Sequence, residues 1–333
     1  MRTPRWWYER GRRRASATRL LLKPAAAVWT AVTARRIARA RPPGVGVPVI
    51  CVGGLTAGGT GKTPVVLAVL DRLAARGVAA AVLSRGYGGR EAGPLRVDPA
   101  RHTAADVGDE PLLLARSYPA WIARDRAAGA RAAAADGAAV IVMDDGHQNT
   151  AVKKTLSLVV VDGETRDGEW PFGDGDVVPA GPMREPLAAG LARADAVVLM
   201  LPADLVAPDP ALVALFGQTP VLIARLEPAA APPSGPQLGF AGVGKPWKVE
   251  RALAAAGCEL VDFVPFPDHA AYSDAELTAL AARAAQANAG LVTTEKDWVR
   301  LPTAWRERVT AWPVRAVFDD EPALDRMLEA ALR

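Results

Sequence analysis

The residues Gly58-Gly59-Thr60-Gly61-Lys62-Thr63 combine three things a polyphosphate needs. Glycines without a Cβ let backbone N–H groups curl around phosphate oxygens. A lysine offers a point charge to β- and γ-phosphates, and a threonine hydroxyl reaches a bound Mg²⁺. An apolar run (47–52) precedes the segment and a helical pattern (63–76), closed by Gly77, follows it. The common spacing G-x-x-x-x-G-K-[ST] places its first glycine where this chain has Thr56. Gly53-Gly54 upstream and the extra Gly59 are expected to restore the turn one register away. The expected phosphate-binding segment is therefore Thr56, Ala57, Gly58, Gly59, Thr60, Gly61, Lys62 and Thr63. A glycine-rich turn without nucleotide is the alternative, and the GKT between a strand and a helix argues against it.

A second group of residues suits a metal. Asp144 and Asp145 follow the apolar run "AAVIVM", and carboxylates at the tip of such a strand reach Mg²⁺ directly or through water. Without a phosphate loop upstream, the pair reads only as a turn. Arg184 and Glu185 in "GPMREP" lie on a Gly/Pro-rich loop and could meet phosphate or Mg²⁺, or form a solvated ion pair. Asp109 before "EPLLLA" reads either as a helix N-cap, with Pro111 in the first turn, or as a working carboxylate. Of three histidines, His102 has no motif around it. His147 beside the acidic pair is open between packing and substrate contact, and His269 alone reads as a surface turn. Ser84, Arg85 and Tyr87 read as a substrate-facing loop or a strand-terminating turn. "TTEKD" (293–297) reads as a nucleotide or interdomain contact, or an ordinary turn.

These residues must be positioned by the elements around them. Apolar runs at 47–52, 78–84, 138–146, "LSLVVVDG" and "AVVLML" alternate with helical patterns at 63–76, 110–117 and 125–135. A short strand is expected around Trp121 and Ile122. This βαβ rhythm predicts an α/β fold, a doubly wound parallel sheet covered on both faces. The Pro/Ala-rich stretch 227–236 reads as a linker. Beyond it the pattern restarts as a smaller α/β unit over 237–333, with a Ser273-capped helix and a closing strand and helix. The P-loop unit is expected over 42–226.

The chain has 333 residues and a net charge of +4, unevenly spread. Residues 1–41 carry twelve Lys/Arg against Glu9, so the remainder sums to −7. The basic excess belongs to one end, and no basic patch with interleaved aromatics recurs, which excludes a nucleic-acid reading. The arm is interrupted by Lys23-Pro24 and is too short in apolar length for a spanning helix. It reads as an amphipathic helix at a membrane surface, with Trp6, Trp7, Tyr8 and Trp29 at headgroup depth and arginines on anionic lipid. The alternative is a basic helix packed on its own domain. Two distant cysteines, Cys51 and Cys258, allow neither a disulfide framework nor a zinc site and point to a reducing compartment.

Eight blocks in order carry a resemblance: "GGLTAGGTGKTP", "SRGYGG", "VGDEPLLLA", "DDGHQ", "VPAGPMREP", "GFAGVGKP", "FPDHAAYS" and "VTTEKDWVRL". Together they resemble tetraacyldisaccharide 4′-kinase, the lipid A 4′-kinase family, from residue 47 to 301. The resemblance implies an ATP- and Mg²⁺-dependent phosphotransferase acting on the 4′-hydroxyl of a tetraacylated glucosamine disaccharide 1-phosphate. It implies a peripheral place on the cytoplasmic face of the bacterial inner membrane and a site in the cleft between two units, and it implies no protein partner or nucleic acid. It also assigns Asp109 of "GDEP" as the catalytic aspartate, His269 of "PDH" as its partner, and Gln148 as an aid at the metal. Lys62 completes the catalytic set, and the expected metal group is Thr63, Asp144, Asp145, Gln148 and Glu185. A second histidine frequent in the family is Ala270 here, and His147 stands where an aromatic is usual. The rival reading is a P-loop NTPase switch or metallochaperone-like protein working on a protein partner. "TEKD" only imitates the guanine-selective N-K-x-D that such a switch would carry. A surface-binding module with a decayed loop is weaker still, because Lys62, Thr63 and both aspartates are intact.

Overall fold

The computed structural model describes residues 4–8 and 16–333. Of the basic arm, residues 1–3 and 9–15 lie outside the described residues. Eight strands run from the arm to the linker: β1 (Val49–Gly54), β2 (Ala80–Ser84), β3 (Leu95–Arg96), β4 (Ala120–Ile122), β5 (Val140–Asp144), β6 (Leu156–Asp162), β7 (Ala196–Pro202) and β8 (Val221–Pro228). Five more complete the chain: β9 (Gln237–Ala241), β10 (Leu260–Pro265), β11 (Gly290–Thr294), β12 (Thr310–Trp312) and β13 (Val314–Phe318).

The first sheet has nine strands in the order β13-β8-β7-β6-β1-β5-β2-β4-β3. It is parallel except at its edges, where β3 and β13 pair antiparallel with β4 and β8. β1 shows why its sequence is apolar without alternation. Ile50 and Val52 enter the core under the helix Lys62–Ala75, while Val49 and Cys51 face the core on the other side. β1 lies between β5 and β6, so the chain changes direction across the sheet at this point. The carboxyl ends flanking such a reversal form the crevice where α/β sheets bind ligands. The second sheet, β10-β9-β11-β12, is wholly parallel.

Two expectations about boundaries are corrected. The smaller unit does not keep 237–333, because β13 crosses back to pair with β8 from Val314↔Pro228 to Phe318↔Ala224. The helix Glu321–Leu332 follows it and buries Leu324, Leu328 and Ala331 in the cluster that holds Val65, Val69 and Leu73. An apolar stripe at this spacing needs a core to cover it, and the larger sheet supplies one. The linker also starts later than residue 227, since Glu227 and Pro228 still belong to β8. The chain crosses between the units twice, side by side: the Ala229 N–H donates to the Pro313 carbonyl at 2.9 Å, and the Trp312 indole N–H to the Ala230 carbonyl at 3.2 Å.

The arm helix spans Ser16–Arg39 and carries Pro24 inside it. One side packs on the larger unit, with Ala26 buried in the cluster that holds Phe172 and Val177 and Leu22 packed against that cluster. The other side exposes Leu20, Leu21, Val28, Trp29 and Val32. No helix among the described residues is long and apolar enough to cross a membrane. The expected headgroup role of Trp6, Trp7 and Tyr8 is not what the structure shows for Tyr8. The turn Arg5–Tyr8 docks on the protein, its Tyr8 hydroxyl donating to the Ala57 carbonyl and its Tyr8 carbonyl accepting from the Trp170 N–H at 2.8 Å.

Candidate active site

The phosphate loop leaves β1 at Gly54 and enters its helix at Lys62. Thr56 does not act as a displaced glycine. It stays extended, buried and bridged to Met183, and the Ala57 N–H donates to the Pro182 carbonyl at 2.8 Å. The reversal comes later, at Gly58 (φ 99°) and Gly61 (φ 81°), both in the left-handed region that residues with a Cβ enter at a cost. Gly53 serves a different need. A Cβ there would stand 2.6 Å from the Cβ of His147, so the glycine lets the turn after β5 lie directly on β1.

Register brings the acidic pair to this loop. Val52 of β1 is aligned with Asp144 of β5, so the strand ends sit side by side. Asp145 takes a left-handed backbone (φ 50°) that aspartate tolerates, and the two carboxylates face different surroundings. Asp144 is buried and accepts from the Ser84 hydroxyl at 3.4 Å. Burial, with Glu110 and Asp145 nearby, pushes its carboxyl well above the usual range. Asp145 is bound bidentately by Arg184 at 2.6 and 2.9 Å and lies 3.8 Å from the Lys62 ammonium. Burial works against its charge, but Lys62 and Arg184 outweigh it and hold the carboxyl far below the ordinary value.

Of the remaining residues expected at the metal, Thr63 stands in the first turn of the loop's helix. Gln148 and Glu185 are occupied elsewhere. Gln148 donates its amide to the Gly54 carbonyl at 2.9 Å and to Glu185 at 3.0 Å. Both Glu185 oxygens accept from Arg193, at 2.6 and 2.7 Å. The structure turns them toward each other and toward Arg193.

Asp109 comes from a distant stretch. Gly108, not Asp109, occupies the cap of the helix Asp109–Leu114, so the N-cap alternative is not realised. One carboxylate oxygen of Asp109 accepts from the Glu110 N–H at 3.0 Å, and the other meets His269 Nδ1 at 2.9 Å. His269 projects from a turn of the smaller unit with φ 56°. Burial opposes ionisation of Asp109, but the His269 bond and the charges of Lys296, His269 and Arg300 bring its carboxyl down to about 2. The Tyr87 ring packs edge-on against His269, with centroids 5.6 Å apart. Tyr87 follows Ser84 by three residues, so one loop touches both Asp144 and the Asp109–His269 pair.

The smaller unit closes the other flank of the phosphate loop. At Gly244 an added Cβ would lie 3.2 Å from the Gly59 nitrogen. Lys245 joins Asp162 at 2.9 Å and Glu169 at 2.6 Å, and Lys248 joins Asp162 at 2.8 Å. A cavity of about 410 Å³ opens there, walled in part by Tyr8, Trp247, Phe263 and Phe266.

Sequence reasoning left His147 open, and the structure assigns it to packing. It is 2 % exposed, its ring nitrogens bound to the Ser157 hydroxyl and the Gly190 carbonyl, each at 3.0 Å. Burial and the nearby Lys154 and Arg193 push its pKa down to about 4. His102 accepts from the Asp98 N–H within its own loop. Arg300 escaped sequence reasoning, and Lys296 entered it only as part of the 293–297 stretch read as a nucleotide or interdomain contact or an ordinary turn. Their spacing of four across "EKDWVR" was the available signal, because it puts both cations on one side of a helical turn.

This geometry can be set beside known proteins. The profile of the family described as tetraacyldisaccharide-1-P 4′-kinase (LpxK) matches residues 18–333. A protein named tetraacyldisaccharide 4′-kinase from Phenylobacterium zucineum (strain HLK1) is 70 % identical over 326 residues, covering 98 % of either chain. One of the same name from Caulobacter vibrioides (strain NA1000 / CB15N) is 66 % identical over 327 residues, again covering 98 % of both. The solved structure of "apo" form LpxK from Aquifex aeolicus, in complex with ATP, superposes with a TM-score of 0.75 at 25 % identity, covering 95 % of this chain and 100 % of that one. The chain belongs to the tetraacyldisaccharide-1-P 4′-kinase family.

Proposed function

We propose that the protein transfers the γ-phosphate of ATP to the 4′-hydroxyl of a tetraacylated glucosamine disaccharide 1-phosphate. The observation that carries this reading is the convergence of Asp109 and His269, 160 residues apart in sequence, on the crevice that holds Lys62 and the acidic pair. A switch protein needs the phosphate loop and the metal carboxylates, but it has no use for a carboxylate of the larger unit paired with an imidazole of the smaller one. The family membership and the ATP carried by the Aquifex relative support the same reading.

Each residue then has a definite task. Amides of Gly58 to Gly61 and the Lys62 ammonium grip the triphosphate, and the base has room in the aromatic-walled cavity beside Gly244. The acidic pair fits Mg²⁺. One buried Asp144 oxygen and the buried Thr60 hydroxyl find no partner among the described residues, an arrangement a bound cation and phosphate would complete. Asp144, Asp145 and Thr63 would hold the ion, which when bound neutralises charge on the phosphate oxygens. Only two of these three are carboxylates, so the ion would take its further ligands from phosphate and water. Asp109 receives the sugar hydroxyl. A carboxyl held near 2 aligns an alcohol rather than stripping it beforehand. The proton moves late, as the P–O bond forms and the alcohol becomes acidic, which suits the loose transition state of phosphoryl transfer.

The arm brings the site to its lipid. The Trp29 indole N–H donates to the Arg184 carbonyl at 2.9 Å, so the helix that exposes Leu20, Leu21, Val28 and Val32 also touches the loop whose Arg184 binds Asp145. We place that apolar strip, with Lys23 and Arg35, on the cytoplasmic face of the inner membrane. Exchanging Leu21, Val28 and Val32 for glutamate should release the protein from anionic vesicles in a sedimentation assay without lowering its melting temperature. Unchanged co-sedimentation would remove the membrane from this account. Deleting the arm is a poorer test, because it uncovers the cluster under Ala26.

The reaction itself is tested with γ-labelled ATP. Label should pass to tetraacyl disaccharide 1-phosphate and only slowly to water. Release of inorganic phosphate with no labelled lipid would favour the switch.

A further inference from the structure

We propose that Arg300, fixed by the buried carboxylate of Asp297, is the positioning residue that holds both members of the Asp109–His269 pair. This inference rests on the kinase reading above and deepens it. Asp297 is 0 % exposed and accepts from the Tyr272 hydroxyl at 2.5 Å, from the Gly242 N–H at 2.8 Å and from Thr294 Oγ1 at 2.6 Å. A buried carboxylate with this many donors has one orientation open to it. It binds the Arg300 Nη2 at 2.5 Å.

Arg300 turns its outer donors to the turn that carries His269 and its charge to Asp109. Nη2 donates to the Gly242 carbonyl at 2.8 Å and Nη1 approaches the Ala270 carbonyl at 3.3 Å. The Gly242 carbonyl also accepts from the His269 N–H at 3.1 Å, so the guanidinium grips the turn that carries His269 from both ends. The Nε–H donates to the Lys296 carbonyl at 3.1 Å, and Nε lies 3.6 Å from the Asp109 oxygen that meets His269, so the guanidinium acts on that carboxylate as a fixed nearby charge. The planar fork suits this task, because its donors diverge at fixed angles, whereas a lysine offers one mobile point charge. Lys296 stands 3.9 Å from the same oxygen but is bound at 2.8 Å to Glu110, so it adds charge and little direction. Asp109 belongs to the larger unit and His269 to the smaller. A residue that fixes both ties the alcohol-binding carboxylate to correct docking of the two units.

The test is a double-mutant cycle on purified protein that retains its wild-type melting behaviour. Arg300→Ala should lower kcat for lipid phosphorylation about a hundredfold, with KM for ATP within twofold, because its contacts are to Asp297, Asp109 and the His269 turn rather than to the phosphate loop, and a misplaced reactive group costs about that much. Arg300→Lys should recover less than a tenth of the loss. In an Asp109→Asn background, Arg300→Ala should cost no more than about twofold further, since its effect runs through that carboxylate. Should Arg300→Ala fail to fold, Tyr272→Phe removes one donor from Asp297 and keeps the ring, and should lower kcat about threefold to tenfold on the same terms. A kcat within twofold of wild type in whichever folded variant is measured, or full additivity with Asp109→Asn, overturns the proposal. Absence of lipid phosphorylation by the wild-type protein would overturn the kinase reading instead, so the two failures are distinct.

Discussion

Replacing Lys62 by alanine is expected to lower kcat/KM for ATP by about a hundred- to a thousandfold, the scale on which loss of one preorganised charge-stabilising group acts. The lysine is 9 % exposed, its stem running against Gly54 and its ammonium reaching the Asp145 side of the crevice. Charge accumulates on the γ-phosphate oxygens as transfer proceeds, and a cation already in place needs no reorganisation to meet it. The fold should survive the change. Asp145 keeps its bidentate bond to Arg184, so removing Lys62 strands no buried anion. Steady-state kinetics with ATP and lipid varied in turn, beside a thermal melt, read the result. Turnover within tenfold of wild type by a folded variant would take Lys62 out of the mechanism.

The second large effect is expected at Asp109. Asp109→Asn keeps the shape of the side chain and removes its charge, and kcat should fall by about a hundred- to ten-thousandfold with KM for ATP little changed. The variant should also differ in acid. The carboxyl goes from its ordinary 3.8 to about 2 on folding, so the ionised form is favoured in the native state. A depressed folded value gives stability that is present above pH 4 and lost as pH falls toward 2. A fall of just under two pKa units corresponds to about 2–3 kcal/mol. Urea titrations between pH 5 and pH 2 should therefore show a shallower acid loss for Asp109→Asn than for wild type. An equally steep loss would mean that the neighbouring cations do not act on this carboxylate as the distances imply.

Much of the architecture was legible because each strand that carries chemistry is also a continuous apolar run. β1, β5, β6 and β7 are buried on both faces, and burial of that kind leaves a mark in composition that no loop can mimic. The Ser273 cap was legible for an equally local reason. Its hydroxyl meets the Glu276 N–H and its own N–H meets the Glu276 carboxylate, a reciprocal box three residues long. The unit boundary was not legible at its far end. β13 and the last helix have no local feature that says which sheet they join. Only the free edge of β8 and the uncovered apolar surface above it decide that.

The site divides along the same line. Glycines, Lys62, Thr63 and the strand-end aspartates work within a few residues of one another or across neighbouring parallel strands, so spacing alone put them together. Their detailed allocation was decided by packing: Thr56 extends, Gly58 turns, and Glu185 goes to Arg193. The Asp109–His269 bond, the fixing of Arg300 by Asp297 and the docking of Tyr8 against Ala57 join segments 160, 3 and 49 residues apart. Of these only the middle one is local, and even its purpose lies across the boundary between units. Local spacing can specify a loop that wraps phosphate, because backbone amides and their neighbours obey fixed short-range geometry. What faces that loop depends on how two sheets meet, and the forces that set this act between surfaces the linear chain keeps far apart.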